Sequence, residues 1–78
     1  MSTQTDAGYR QQLNNYFQVN PVIGQPDYEC TSTGRSNEAE WTAVVRLKGV
    51  EYGRGVATTK GRAMETAAHN ALEELGVL

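Results

Sequence analysis

The chain has one cysteine, one histidine and two prolines among its 78 residues. Each scarcity removes a class of explanation. The lone cysteine, Cys30, excludes an internal disulfide framework and a cysteine-based zinc site, and it fits a reducing compartment. The lone histidine, His69, lies between Ala68 and Asn70 in a helical stretch, where nothing in the pattern brings it to a serine or to Cys30. The acids Glu38, Glu40, Glu51, Glu65, Glu73 and Glu74 are scattered like solvated charges. No apolar run approaches the roughly 20 residues of a membrane-spanning helix. The start, Met1-Ser2-Thr3-Gln4-Thr5-Asp6, lacks the basic and apolar blocks of a secretory signal. Cations are also few: seven Lys and Arg against nine Asp and Glu leave a net charge of −2. A strongly basic nucleic-acid module is thereby disfavoured, and only local patches remain to consider. The expectation is a soluble intracellular domain with no cofactor, no metal centre, no catalytic residues, no membrane segment and no small-molecule substrate.

At this length only roughly 60% of the unfolded chain's surface can be buried, so one domain with a thin core is expected. Residues 1–5 read as a disordered tail, and the domain as 6–78. Asp6 can cap a helix running from Ala7 to about Val19, in which Tyr9, Leu13, Tyr16 and Phe17 fall at i, i+4, i+7 and i+8 as one apolar stripe. Asn20-Pro21 ends it. The opposite face carries Gln11, Gln12, Asn14, Asn15 and Gln18 and is polar but uncharged. Solvated faces usually carry Lys and Glu. Amides both donate and accept, as a hydroxyl does, so this face is either plain solvent surface or a binding surface.

A loop from Pro21 to Pro26 leads to a first strand, Asp27 to Ser32, with Tyr28 and Cys30 on one face. After a polar turn, Thr33 to Glu38, the clearest strand runs from Ala39 to Lys48. Trp41, Ala43, Val45 and Leu47 share one face of it; Thr42, Val44, Arg46 and Lys48 share the other. Lys48-Gly49 is a tight turn into a third strand, Val50 to about Ala57. Short links imply an antiparallel meander. Gly53 and Gly55 mark a bulge or a close backbone approach. Gly53-Arg54-Gly55 is too short for a phosphate-cradling nucleotide loop.

The chain closes on an amphipathic helix. Thr59 is placed as its N-cap, and Ala63, Ala67, Ala68, Ala71, Leu72 and Leu75 form its apolar stripe. Gly76 is its stop, with Val77 packing back. Lys60 and Arg62 crowd its first turn and Glu73 and Glu74 its last, both against the helix dipole. A cationic helix start that the helix itself disfavours points to an anionic partner. The order helix, three strands, helix gives an α+β domain: a three-stranded antiparallel sheet with both helices on one face and water on the other.

Three stretches of this pattern resemble the double-stranded-RNA-binding domain family. Leu13-Asn14-Asn15-Tyr16-Phe17-Gln18 is similar to the family's first helix, Leu-Asn-Glu followed by two apolar residues and Gln. Trp41-Thr42-Ala43-Val44-Val45 resembles its central strand, which normally begins with Phe. Gly55-Val56-Ala57-Thr58-Thr59-Lys60-Gly61-Arg62-Ala63-Met64-Glu65-Thr66-Ala67-Ala68 resembles the signature Gly-x-Gly-x-Ser-Lys-Lys-x-Ala-Lys-x-x-Ala-Ala. The resemblance spans Tyr9 to about Leu75. It implies that duplex RNA is read by shape, with the first helix and the first inter-strand loop in successive minor grooves, and with the last helix's start on phosphates between them. Carried over, Gln11, Asn14 and Asn15 would face one minor groove. Gly34, Arg35 and Ser36 would enter the second. Lys60 would meet phosphate, with Arg62 assisting.

The sequence also departs from the family. Asn15 stands for the usual Glu, the loop keeps Gly34 but lacks the Pro and His of Gly-Pro-x-His, and Ala57 replaces a glycine. Gly61 and Met64 occupy two of the three lysine positions. Phosphate contacts supply most non-specific affinity, so weak to moderate RNA binding is expected. The alternative is the same fold used for protein contacts or homodimerisation within an RNA-processing or silencing complex. An exposed Met64 would favour that reading.

Overall fold

A computed structural model describes residues 8–34 and 39–78. Its elements are α1 (Gly8–Val19), a single 3₁₀ turn (Pro21–Ile23), β1 (Asp27–Thr33), β2 (Glu40–Leu47), β3 (Val50–Ala57) and α2 (Lys60–Glu74). The tail expected over residues 1–5 and the Asp6 cap lie outside the described residues, as do Arg35 and Ser36. The strands pair antiparallel in the order β1-β2-β3. This is the expected meander, with element ends within a residue or so of the sequence reading.

The two-residue turn between β2 and β3 puts both Lys48 (φ 53°) and Gly49 (φ 80°) in the left-handed region, the geometry that matches the twist of a tight hairpin. The pairing then slips. Val45 faces Gly53 while Arg46 faces Glu51, so Tyr52 is an extra residue and β3 bulges there. Beyond the bulge, Gly53 and Gly55 lie directly under α2. A Cβ at Gly53 would come within 2.7 Å of the Ala71 amide nitrogen, and one at Gly55 within 2.6 Å of that of Ala67. The two readings offered for these glycines, bulge and close approach, are thus both realised, one residue apart. Alanine on α2 and glycine on β3 are two halves of one device, which lets a helix backbone press onto a strand.

The core is correspondingly small. Leu13, Ala43, Val45, Ala63, Ala67, Ala68, Ala71 and Leu72 form its buried cluster, with Tyr28, Cys30, Trp41, Tyr52, Met64 and Leu75 half-buried around it. Each fully buried Leu or Val contributes about 1.5–3 kcal/mol. The α1 stripe is weaker than its spacing suggested: Leu13 is buried, Tyr16 and Phe17 only partly, and Tyr9 lies exposed. The reason is placement. α1 leans mainly on α2, while α2 packs chiefly over β3 and less over β2. On the face expected to meet water, Val44 is nevertheless buried (7% exposed), lying between Glu29 and Arg54 in the register.

α2 ends as its sequence indicates. Gly76 adopts φ 82°, its N–H reaches the Glu73 carbonyl at 3.0 Å, and the Val77 N–H reaches that of Leu72 at 2.9 Å. This is the paired closure of a Schellman cap.

Candidate nucleic-acid interface

The strand register fixes where the predicted site residues lie. Trp41 pairs with Ser32 on one side and Ala57 on the other. The β1–β2 loop, opened by Gly34, and the start of α2 therefore sit at the same end of the sheet. Gly34 is exposed and takes φ 93°, a backbone state that glycine adopts without strain.

At the start of α2, the Thr59 hydroxyl accepts the Arg62 N–H at 3.2 Å, so Thr59 is the N-cap as read. Lys60, Gly61 and Arg62 are all exposed. Lys60 Nζ lies 5.9 Å from the centroid of the Trp41 ring. The other cations are engaged differently. Arg10 pairs with Glu65 at 2.7 Å, Arg46 with Glu29 at 2.6 Å and Arg54 with Glu51 at 3.3 Å. Among the described residues, this leaves Lys48, Lys60 and Arg62 outside ion pairs. Lys48 is in the β2–β3 turn, a strand length of roughly 25 Å from the α2 start. Two of these three cations therefore share one helix turn, as expected for a phosphate contact.

α1 presents the amide face as predicted. Gln11, Gln12, Asn14, Asn15 and Gln18 are exposed opposite Leu13. Its attachment is the feature that sequence reasoning missed. Glu65, counted there among the solvated acids, has only 15% of its side chain exposed. One carboxylate oxygen accepts the Tyr9 N–H at 3.0 Å and the Arg10 N–H at 3.4 Å; the other takes the Arg10 guanidinium at 2.7 Å. A side chain of α2 thus caps α1. The signal was faint: the first turn of α1 carries no acid of its own among the described residues.

Met64 is half-buried against the core, with an Arg10 guanidinium nitrogen 3.7 Å from its sulfur. It is therefore no exposed contact residue. His69 is half-buried too, edge-on to Tyr9 with ring centroids 4.7 Å apart. Asn70 beside it donates to the Arg54 carbonyl at 2.7 Å, tying α2 to β3. The Tyr28 hydroxyl is buried without a protein partner among the described residues. Burial pushes its pKa up to about 12, with Arg10 pulling down and Glu65 pushing up.

The start of α2 is thus held to the loop's base through Trp41 and to α1's first turn through Glu65. Trp41, the start of α2 and the start of α1 are thereby brought together. Comparison with known proteins shows the family. The family described as double-stranded RNA binding motif matches residues 9–75. Ribonuclease 3 of Mycobacterium tuberculosis is 45% identical over 56 residues, 72% of this chain and 23% of that protein. Ribonuclease 3 of Mycobacterium leprae is 43% identical over 56 residues, 72% and 24%. The chain thus spans about a quarter of the length of these relatives. Among solved structures, one of Arabidopsis HYL1, described with its implications for miRNA processing, superposes with a TM-score of 0.75 at 30% identity. It covers 88% of this chain and 97% of that one.

Proposed function

The chain belongs to the double-stranded RNA binding motif family, and from that premise we propose how this domain grips duplex RNA. Gln11, Asn14 and Asn15 face one minor groove and bond ribose 2′-hydroxyls, to which amides can both donate and accept. Lys60, assisted by Arg62, meets phosphates of the intervening major groove. Gly34, Arg35 and Ser36 enter the next minor groove. The observation that carries this reading is the charge distribution: of the three cations outside ion pairs among the described residues, Lys60 and Arg62 share the first turn of α2, and Lys48 lies in the β2–β3 turn.

The domain holds RNA and breaks no bond. Since it spans about a quarter of the Ribonuclease 3 relatives, we assign cleavage in such proteins to the remainder. With two or three cations engaged, binding is sequence-tolerant and of weak to moderate affinity. The slope of log K against log salt is then about −2 to −3.

The test is a titration of duplex RNA of about 20 base pairs, longer than the roughly 16 a domain of this family spans, across a salt series, repeated with duplex DNA. RNA binding with that slope and weaker DNA binding is expected. No binding to either at hundreds of micromolar, well above the usual non-specific range of about 1–100 μM, would refute the reading. Equal binding to both would refute 2′-hydroxyl recognition by α1.

A second reading, contact with another protein or a second copy, draws on exposed Val19, Val22, Val77 and Leu78. Sedimentation that shows a monomer at all concentrations tested would count against a homodimer.

A further inference from the structure

With Gly61 and Met64 in the other two lysine positions, one lysine must do the work of three, and how it is held becomes important. We propose that Trp41 is the positioning residue for the Lys60 phosphate contact, joining the base of the β1–β2 loop and the start of α2 into one rigid unit. This rests on the RNA reading above. The ammonium lies 5.9 Å from the ring centroid, within reach of a cation–π attraction, of which Trp is the strongest provider. The ring is itself fixed. It is half-buried against the core, and its backbone is paired to Ser32 and Ala57 on both sides.

The nature of the partner matters. Arg10, Arg46 and Arg54 are each held by a carboxylate, which orders the side chain but cancels its charge and competes with phosphate. An indole face orders Lys60 without cancelling its charge. An ammonium has three N–H donors, and a ring on one side leaves the others open to phosphate oxygens. The cation that must stay available is thus the one held by a neutral group.

The experiment compares W41L, which keeps apolar bulk, with W41F, which keeps a weaker ring, each alone and combined with K60A. W41L should weaken duplex-RNA binding about two- to fivefold and W41F less. In the K60A background, W41L should have no further effect on binding. A loss of equal size in both backgrounds would mean that Trp41 acts through the fold alone, and would overturn the proposal. Trp41 is the chain's single tryptophan, so the contact can also be read without RNA or any change at position 41. K60A should alter the emission of the free protein, and an unchanged spectrum would overturn the proposal even if W41L failed to fold. If the unaltered chain binds no RNA while K60A still alters emission, the RNA reading fails and the positioning role fails with it, although the contact itself stands.

Discussion

Replacing Gly61 with lysine adds a cation between Lys60 and Arg62 at little structural cost. A Cβ at Gly61 meets no atom within 4 Å, and the position is exposed. Exchanging glycine for lysine within a helix contributes about 0.5–1 kcal/mol. A positive charge at a helix N-terminus costs about 0.3–1 kcal/mol. The two nearly cancel, so the unfolding midpoint should barely move. RNA binding should respond clearly. One further phosphate contact steepens the slope of log K on log salt by about 0.9, which at 0.1 M salt is roughly eightfold, or about 1.2 kcal/mol. The assay is anisotropy of a labelled RNA duplex across the salt series, with a thermal melt of each protein as control. An unchanged slope and affinity in a folded variant would refute the placement of α2's first turn over phosphates, and with it the roles of Lys60 and Arg62. Lysine at Met64 is the instructive contrast. That side chain is half-buried and already lies against Arg10. A second cation there would sit beside the first, so M64K should lower stability and leave the salt slope unchanged.

Three further predictions concern the scaffold. Glu65→Ala removes the cap of α1 and strands Arg10, and should cost about 1–3 kcal/mol by urea unfolding; a loss below a few tenths would show that the clamp is ornamental. Gly53→Ala forces a Cβ into the α2 backbone and should cost about 2–4 kcal/mol or prevent folding; a neutral outcome would mean that α2 sits further from β3. Tyr28 ionises near pH 10 when unfolded but only near about 12 when folded. The folded state therefore disfavours the phenolate, and the Tyr28 contribution is complete below pH 10 and lost as pH rises from 10 towards 12. Unfolding midpoints of Tyr28→Phe should fall less over that interval than those of the unaltered chain, and parallel curves would refute the shift.

What could be read from sequence divides along physical lines. Local rules predicted local structure. The Thr59 cap, the Gly76 stop, the Lys48-Gly49 turn and the two-residue period of β2 all appear where expected, because each is settled within a few residues of chain. Gly53 and Gly55 could be flagged, but not resolved between bulge and close approach, because the deciding atoms lie on α2. Glu65 was misread for the same reason: its partners, Tyr9 and Arg10, are more than 50 residues away, and nothing in the local pattern separates a clamp from a solvated acid. The exposed amides of α1 and the cations of α2 were visible individually. The ties of the α2 start to α1 through Glu65 and to β2 through Trp41 were not, because each joins residues far apart in the chain.

The same geometry resolves the apparent conflict between an acidic chain and a polyanionic ligand. Net charge sets long-range attraction, but salt limits its reach to a Debye length of about 8 Å at physiological ionic strength. Glu73 and Glu74 lie at the far end of α2, about 20 Å from Lys60 along the helix, more than two such lengths away. Glu29 and Glu51 are bound to Arg46 and Arg54. Glu65, the acid nearest the cationic turn along α2, is bound to Arg10. Glu40, at the start of β2 beside Trp41, is the exposed acid outside these pairs at this end of the described sheet, and Lys60 and Arg62 outnumber it two to one. The overall negative charge lowers the encounter rate through long-range repulsion at low salt. Under the proposed RNA contact, the −2 balance acts mainly on how fast RNA arrives, and the two cations on how firmly it stays.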